Sequence, residues 1–180
     1  MTAAGSSLDL DRIEISPLPS KESISRFTCG EHEIDAWTAR KASKWHEQNR
    51  TKVFIAHDKG SAVARGFYCL SFSTEEGSKL TSHQHRSIWS GGVPLIYLTY
   101  LAVQRNCQRS GLGKLLLVDS LRRAHEVSRH VAFYGVGLRS LNEKTTKLYE
   151  KFGFGIAAGE GSAHPLMILP IWTINDLFEA

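Results

Sequence analysis

The segment from Leu95 to Ala124 constrains this chain more than any other. A strand-like run from Leu95 to Val103 (LIYLTYLAV) leads into Gln108-Arg109-Ser110-Gly111-Leu112-Gly113-Lys114, which opens a helix-like run, LGKLLLVDSLRRA. Two glycines without β-carbons let the chain coil tightly and bring successive N–H groups toward an anion. The first N–H groups of the following helix add partial positive charge. The stretch reads as a phosphate cradle, with a plain strand-to-helix turn as the alternative. A P-loop needs Ser or Thr after Lys114, where Leu115 stands. A Rossmann fingerprint needs a third glycine where Leu116 stands. Both patterns fail, which leaves a pyrophosphate of another kind.

The chain is long enough for one domain with a sizeable core: 180 residues, 42% hydrophobic and 22% charged. Residues 1–11 are small and polar and are expected to form a disordered tail, with a single domain over 12–180. No basic segment adjoins a long apolar run, so the expectation is a cytoplasmic chain with no membrane partner. Cys29, Cys69 and Cys107 are odd in number and widely spaced, which argues for reduced thiols and against a disulfide frame or a metal site. His83 and His85 sit in a polar loop and read as solvated. A net charge of +4 permits a phosphate-rich partner without requiring one.

Hydrophobic periodicity gives the elements in order. Arg12–Leu18 reads as a strand, and residues 31–47 as one amphipathic helix with Ile34, Trp37 and Trp45 at helical spacing. Residues 52–57 and 62–73 read as a hairpin about a turn at 58–61, and residues 74–92 as a loop that can hold one helical turn. After the cradle a helix runs to about Val127 with Leu112, Leu115, Leu116 and Leu121 inward. Residues 131–136 read as a strand, 142–152 as a helix stopped by Gly153, and 165–170 as a last strand. Strands and helices mix as α+β around one central sheet, without internal repeats.

A second motif, Ser140-Leu141-Asn142-Glu143-Lys144-Thr145-Thr146-Lys147-Leu148-Tyr149-Glu150-Lys151-Phe152-Gly153-Phe154, carries further chemistry. At 3.6 residues per turn, Leu141, Thr145, Leu148 and Phe152 share one face. Asn142 and Tyr149 nearly superpose on another, roughly 10 Å apart along the axis. That separation suits contacts to different parts of one long ligand. The bland alternative makes Asn142 a helix cap and Tyr149 a half-buried packing residue.

Gln-x-x-Gly-x-Gly after a hydrophobic strand, followed by N-x-x-x-x-x-L-Y-E-K-x-G-F, resembles the GNAT N-acetyltransferases over about Leu95 to Phe154. The resemblance implies a single α+β domain whose central sheet is mixed, mostly antiparallel and twisted, flanked by helices and splayed at an acetyl-CoA site. It implies that Gln108, Arg109, Ser110, Gly111, Leu112, Gly113 and Lys114 hold the pyrophosphate. Leu101, Ala102 and Val103 would meet pantetheine, Asn142 would bind CoA and Tyr149 would sit at its sulfur. A CoA thiol resembles a Cys thiol, with a pKa of about 8.5, against about 10 for tyrosine. Tyr149 can therefore act as the acid for the departing thiolate. No metal is implied.

A narrower block, Phe27-Thr28-Cys29-Gly30-Glu31-His32-Glu33-Ile34-Asp35-Ala36-Trp37, with Gly66-Phe67-Tyr68-Cys69-Leu70-Ser71, is similar to a GNAT branch that includes toxins of toxin–antitoxin pairs. Ile34 stands for the usual Leu and Phe67 for the usual Tyr. That branch implies aminoacyl-tRNA as acceptor, a cognate antitoxin and a homodimer. Arg40, Lys41 and Lys44, in the densest basic region, are the candidate RNA contacts, with a solvated helix face as the alternative. Two other functions stay open: acetylation of a small-molecule or protein amine, and a catalytically silent CoA-sensing or RNA-binding module. The run 173–180 matches nothing in this pattern.

Overall fold

A computed structural model describes residues 8–80 and 91–179. Seven strands, β1 (Ile13–Pro17), β2 (Lys52–Asp58), β3 (Ala64–Glu75), β4 (Val93–Val103), β5 (Gly135–Arg139), β6 (Gly155–Ala158) and β7 (Leu166–Pro170), form one sheet. Their order is β1-β2-β3-β4-β5-β7-β6. The described helices are α1 (His32–Arg40), α2 (Ala42–Glu47), α3 (Leu112–Ser128), α4 (Glu143–Lys151) and α5 (Ile171–Glu179). The sheet is mixed, as expected: β1/β2, β5/β7 and β6/β7 run antiparallel, and β4/β5 runs parallel. The β4/β5 ladder covers Leu95–Tyr97 only, whereas β4 continues to Val103 and β5 continues to Arg139 against β7. The two strands part after Tyr97, which is the expected splay.

The chain divides into two compact units, Met1–Cys69 with Tyr100–Asp119, and Leu70–Thr99 with Ser120–Ala180. In the first, Phe27, Trp37, Val53, Ile55, Phe67 and Ala102 form the core, with Ile34, Trp45 and Tyr100 against it. Phe27 meets Phe67 edge-on at 5.0 Å and Trp37 stacks on Phe67 at 6.0 Å, so the two blocks of the narrower resemblance pack on each other. In the second, Leu80, Val93, Leu95, Tyr134, Ala157, Leu166 and Ile168 form the core.

Several expectations need correction. Residues 31–47 form two helices, broken at Lys41 (φ −123°). Eight residues at 100° each leave Trp37 and Trp45 about 80° apart on one straight helix. The break lets both rings reach the same core, where they meet edge-on at 6.1 Å. The strand expected at 131–136 begins at Gly135. The N–H groups of His130 and Val131 instead donate to Val127 O, closing α3, and Val131 is 51% exposed. In α3, Leu112, Leu116 and Leu121 are buried as expected, Leu115 is half-buried, and Leu117 joins them.

The loop expected at 74–92 holds a 3-10 turn at Gly77–Lys79, and its His83 and His85 lie outside the described residues. Two elements were not foreseen. Strand β6 is four residues long, and α5 occupies the unmatched C-terminal run with Ile171, Ile174, Asn175 and Phe178 inward.

Helix α3 is seated through Gly66 of β3. A β-carbon there would come within 2.8 Å of Leu116 Cδ1 and 3.1 Å of the Ala102 carbonyl oxygen. Gly66→Ala should therefore cost about 1–3 kcal/mol by overpacking, read as a lower urea midpoint at unchanged slope. An unchanged midpoint would mean that α3 can shift freely on β3.

Candidate functional site

The connection from β4 to α3 is built by its own hydrogen bonds. After β4 the chain turns through a 3-10 segment, Arg105–Cys107, in which Cys107 N–H donates to Gln104 O at 2.8 Å. Ser110 Oγ donates to Cys107 O at 2.7 Å and accepts from Leu112 N–H at 3.4 Å, so this hydroxyl shapes the loop. Arg109 (φ +63°) and Gly111 (φ +90°) both adopt left-handed backbone. Glycine does this freely, whereas Arg109 bears about 1–2 kcal/mol. The α3 N-terminus thus stands open beside Gln108, Arg109 and Gly111, all exposed. Its first N–H groups lack intrahelical acceptors.

Gln108 has a second task. Its Nε2 donates to Cys29 O at 2.8 Å and Val103 O at 3.2 Å, leaving its backbone to face a ligand. At Gly113 a β-carbon would meet only Val103 Cγ2, at an ordinary 3.7 Å. The fold does not require glycine there; a group approaching the α3 backbone would. In β4, Ala102 is buried, whereas Leu101 and Val103 are half-buried.

Asn142 caps α4: Oδ1 accepts from Thr145 N–H at 3.0 Å, and Thr145 Oγ1 accepts from Asn142 N–H at 3.0 Å. The expected helix-cap alternative is therefore real, and it occupies Oδ1 while leaving the Nδ2 donor for a ligand. Along α4 and its flanks, Thr145, Thr146, Tyr149 and Phe152 are partly buried, whereas Leu141 (41%) and Leu148 (50%) are exposed. The face holding Tyr149 is thus the inward one. Tyr149 meets Phe154 edge-on at 5.6 Å, and among the described residues its hydroxyl makes no hydrogen bond. Burial pushes this hydroxyl up to about 12, so it is a neutral proton donor at physiological pH.

Arg40, Lys41 and Lys44 are exposed at the α1/α2 junction. Lys41 Nζ lies 5.7 Å and Arg50 Cζ 4.3 Å from the Trp45 ring centre, fixing two cations on one aromatic surface. Beside them lies a cleft of about 340 Å³ lined by His32, Glu33, Ala36, Trp37, Arg40, Lys41 and Tyr100. Tyr100 Oη donates to Glu33 at 3.3 Å. Among the described residues no group of three or more His, Cys, Asp or Glu side chains can hold a metal ion.

The family model for the acetyltransferase (GNAT) domain matches residues 49–156, more than half of the chain. The chain belongs to the GNAT acetyltransferase family. A tRNA-acetylating toxin of Mycobacterium tuberculosis is 26% identical over 136 residues, 76% of this chain and 80% of that protein. A probable toxin, TacT, of Sinorhizobium fredii is 26% identical over 173 residues, 91% and 93% of the two chains. Among solved structures, a tyrosine-to-phenylalanine variant of KacT superposes with a TM-score of 0.83 at 25% identity, covering 93% of this chain and 99% of its own. AtaTR bound with acetyl-CoA superposes with a TM-score of 0.78 at 25% identity, covering 94% and 99%.

This GNAT chain is an acetyltransferase with acetyl-CoA as donor, and the chemistry of the β4–α3 turn suits a pyrophosphate. Its donors are backbone N–H groups at a helix start, and the packing around Gly113 would tolerate a β-carbon that an approaching anion would not. Gly113→Ala should fold with undiminished stability, since alanine favours a helix, and should raise the Kd for CoA about tenfold or more by calorimetry. Unchanged affinity would mean that the pyrophosphate lies elsewhere.

Proposed function

We propose that this enzyme is the toxin of a toxin–antitoxin pair and acetylates the amino group of aminoacyl-tRNA. The observation that carries the reading is the similarity to a tRNA-acetylating toxin over 76% of the chain and 80% of that relative's own length. The cation-bearing Trp45 surface and the net charge of +4 agree with an RNA acceptor. A cognate antitoxin, a homodimer and a cytoplasmic setting belong to the same reading.

Residue roles follow from chemistry. Backbone N–H groups of residues 108–114 hold the pyrophosphate, and Asn142 adds a donor. The bound thioester supplies an activated acetyl group. The α-amino group of the acceptor, with a pKa of about 8, is neutral often enough at pH 7 to attack without a strong base. Backbone N–H groups of Leu101 and Val103 face the charge that develops on the acyl oxygen. The departing thiolate needs a proton, which Tyr149 Oη holds.

Tyr149→Phe should lower kcat by about 10²–10⁴ while CoA still binds, and its induced expression should not slow growth as the wild type does. Because burial raises the Tyr149 pKa to about 12, the proton is retained as pH climbs and lost only near that value. Wild-type kcat should therefore show no falling limb from this group below pH 10, the usual tyrosine value. A harmless wild type that acetylates free amines or peptides but no charged tRNA would replace this acceptor with a small or protein amine.

Changing Arg40, Lys41 and Lys44 together to Ala should raise KM for charged tRNA about tenfold and flatten its salt dependence by about two to three counterions, leaving KM for acetyl-CoA unchanged. An unaltered salt slope would make this basic face a solvated one.

A further inference from the structure

The Phe27–Trp37 block marks the branch that implies the acceptor, yet its polar groups are turned toward residues 104–108. The Asp35 carboxylate, in the first turn of α1, reaches back over the preceding chain. Oδ1 accepts from Cys29 N–H at 2.7 Å and from Cys29 Sγ at 3.2 Å, and Oδ2 accepts from Gly30 N–H at 3.2 Å. These bonds aim the Cys29 carbonyl away from α1, and that oxygen accepts Gln108 Nε2 at 2.8 Å.

Thr28 is tied to the same region twice. Its N–H donates to Gln104 Oε1 at 3.0 Å, and its carbonyl accepts Arg105 N–H at 2.9 Å. Gly30 (φ +98°) lies so close to Arg105 that a β-carbon there would come within 2.8 Å of the guanidinium. The segment 28–30 is thus the seat on which residues 104–108 rest.

We propose that Asp35 is a positioning residue for acetyl-CoA, acting through the Cys29 carbonyl on Gln108, which holds the pyrophosphate loop against the end of β4. Gln108 is the hinge of the arrangement. One amide nitrogen bonds both Cys29 O and Val103 O, so loop, strand end and upstream segment share a single donor. If Cys29 turns, Gln108 loses its shorter bond, and the N–H groups of residues 109–113 lose their common aim. Burial works to raise the Asp35 pKa, but the N–H and S–H donors and the nearby Arg105 outweigh it and hold the carboxyl below the usual range. The tie is therefore ionic and intact at neutral pH. This inference rests on the reading of residues 108–114 as the CoA loop.

The test is a double-mutant cycle with Asp35→Asn and Gln108→Met, reading the Kd for CoA by calorimetry together with kcat, both KM values and Tm. Each single change should raise the Kd for CoA and the KM for acetyl-CoA about five- to tenfold. The pair together should do no more than the larger single effect, because both cut one chain of contacts. For Asp35→Asn, the kcat at saturating acetyl-CoA and the acceptor KM should stay within about twofold.

Additive effects, an unchanged Kd with only a lowered Tm, or a shift confined to the acceptor KM would each overturn the proposal. The last would return the block to acceptor recognition. Should Asp35→Asn fail to fold, Gln108→Met, at an exposed position, carries the test alone, and an unchanged Kd there overturns it. A wild type that binds no CoA overturns the donor-loop reading itself, a distinct result.

Discussion

Backbone N–H and C=O groups must find partners, and that requirement at the end of β4 organises the rest of this protein. The β4 ladder with β5 stops at Tyr97, while β4 runs on to Val103. A strand edge left open in this way presents a row of directed polar groups, which a long ligand can satisfy. At the far end Gln108 takes the Val103 carbonyl, so the chain leaves the strand already bent toward the start of α3.

Two kinds of electrostatic environment result. The β4–α3 turn is open to water and presents backbone dipoles, which can hold an anion without a buried countercharge and without a pKa that can drift. Tyr149 is the opposite case: a side chain whose burial suppresses its charged form, so that it stays a donor. The two proposed roles, anion binding and proton donation, thus fall to groups whose surroundings favour each. The capping box at Asn142 fixes the start of the helix that carries Tyr149, joining a local backbone requirement to the chemistry.

Much of this was legible from residues alone, for stated reasons. The cradle could be read because glycine is required at Gly111 for a positive φ, and the α3 helix because leucines recur at its inward spacing. The continuous helix over 31–47 failed because periodicity cannot register that Trp37 and Trp45 must meet in one core. The strand at 131–136 was displaced because Val131 is spent on closing α3. Helix α5 left a signal, Ile171, Ile174 and Phe178 at helical spacing, that family motifs do not cover. Strand β6 is too short to show a period at all.

By itself the sequence determined the local frame of the proposed donor side: rules of turn, helix start and residue spacing suffice to specify a glycine turn into α3 and a tyrosine on a capped helix. Only the tertiary structure decided what the Phe27–Trp37 block touches. A carboxylate that bonds Cys29, and a Cys29 carbonyl that bonds Gln108, 79 residues further on, leave no periodicity in the chain. Such a contact depends on how the core around Phe27, Trp37 and Phe67 brings distant segments together, and packing of that kind is a property of the folded molecule.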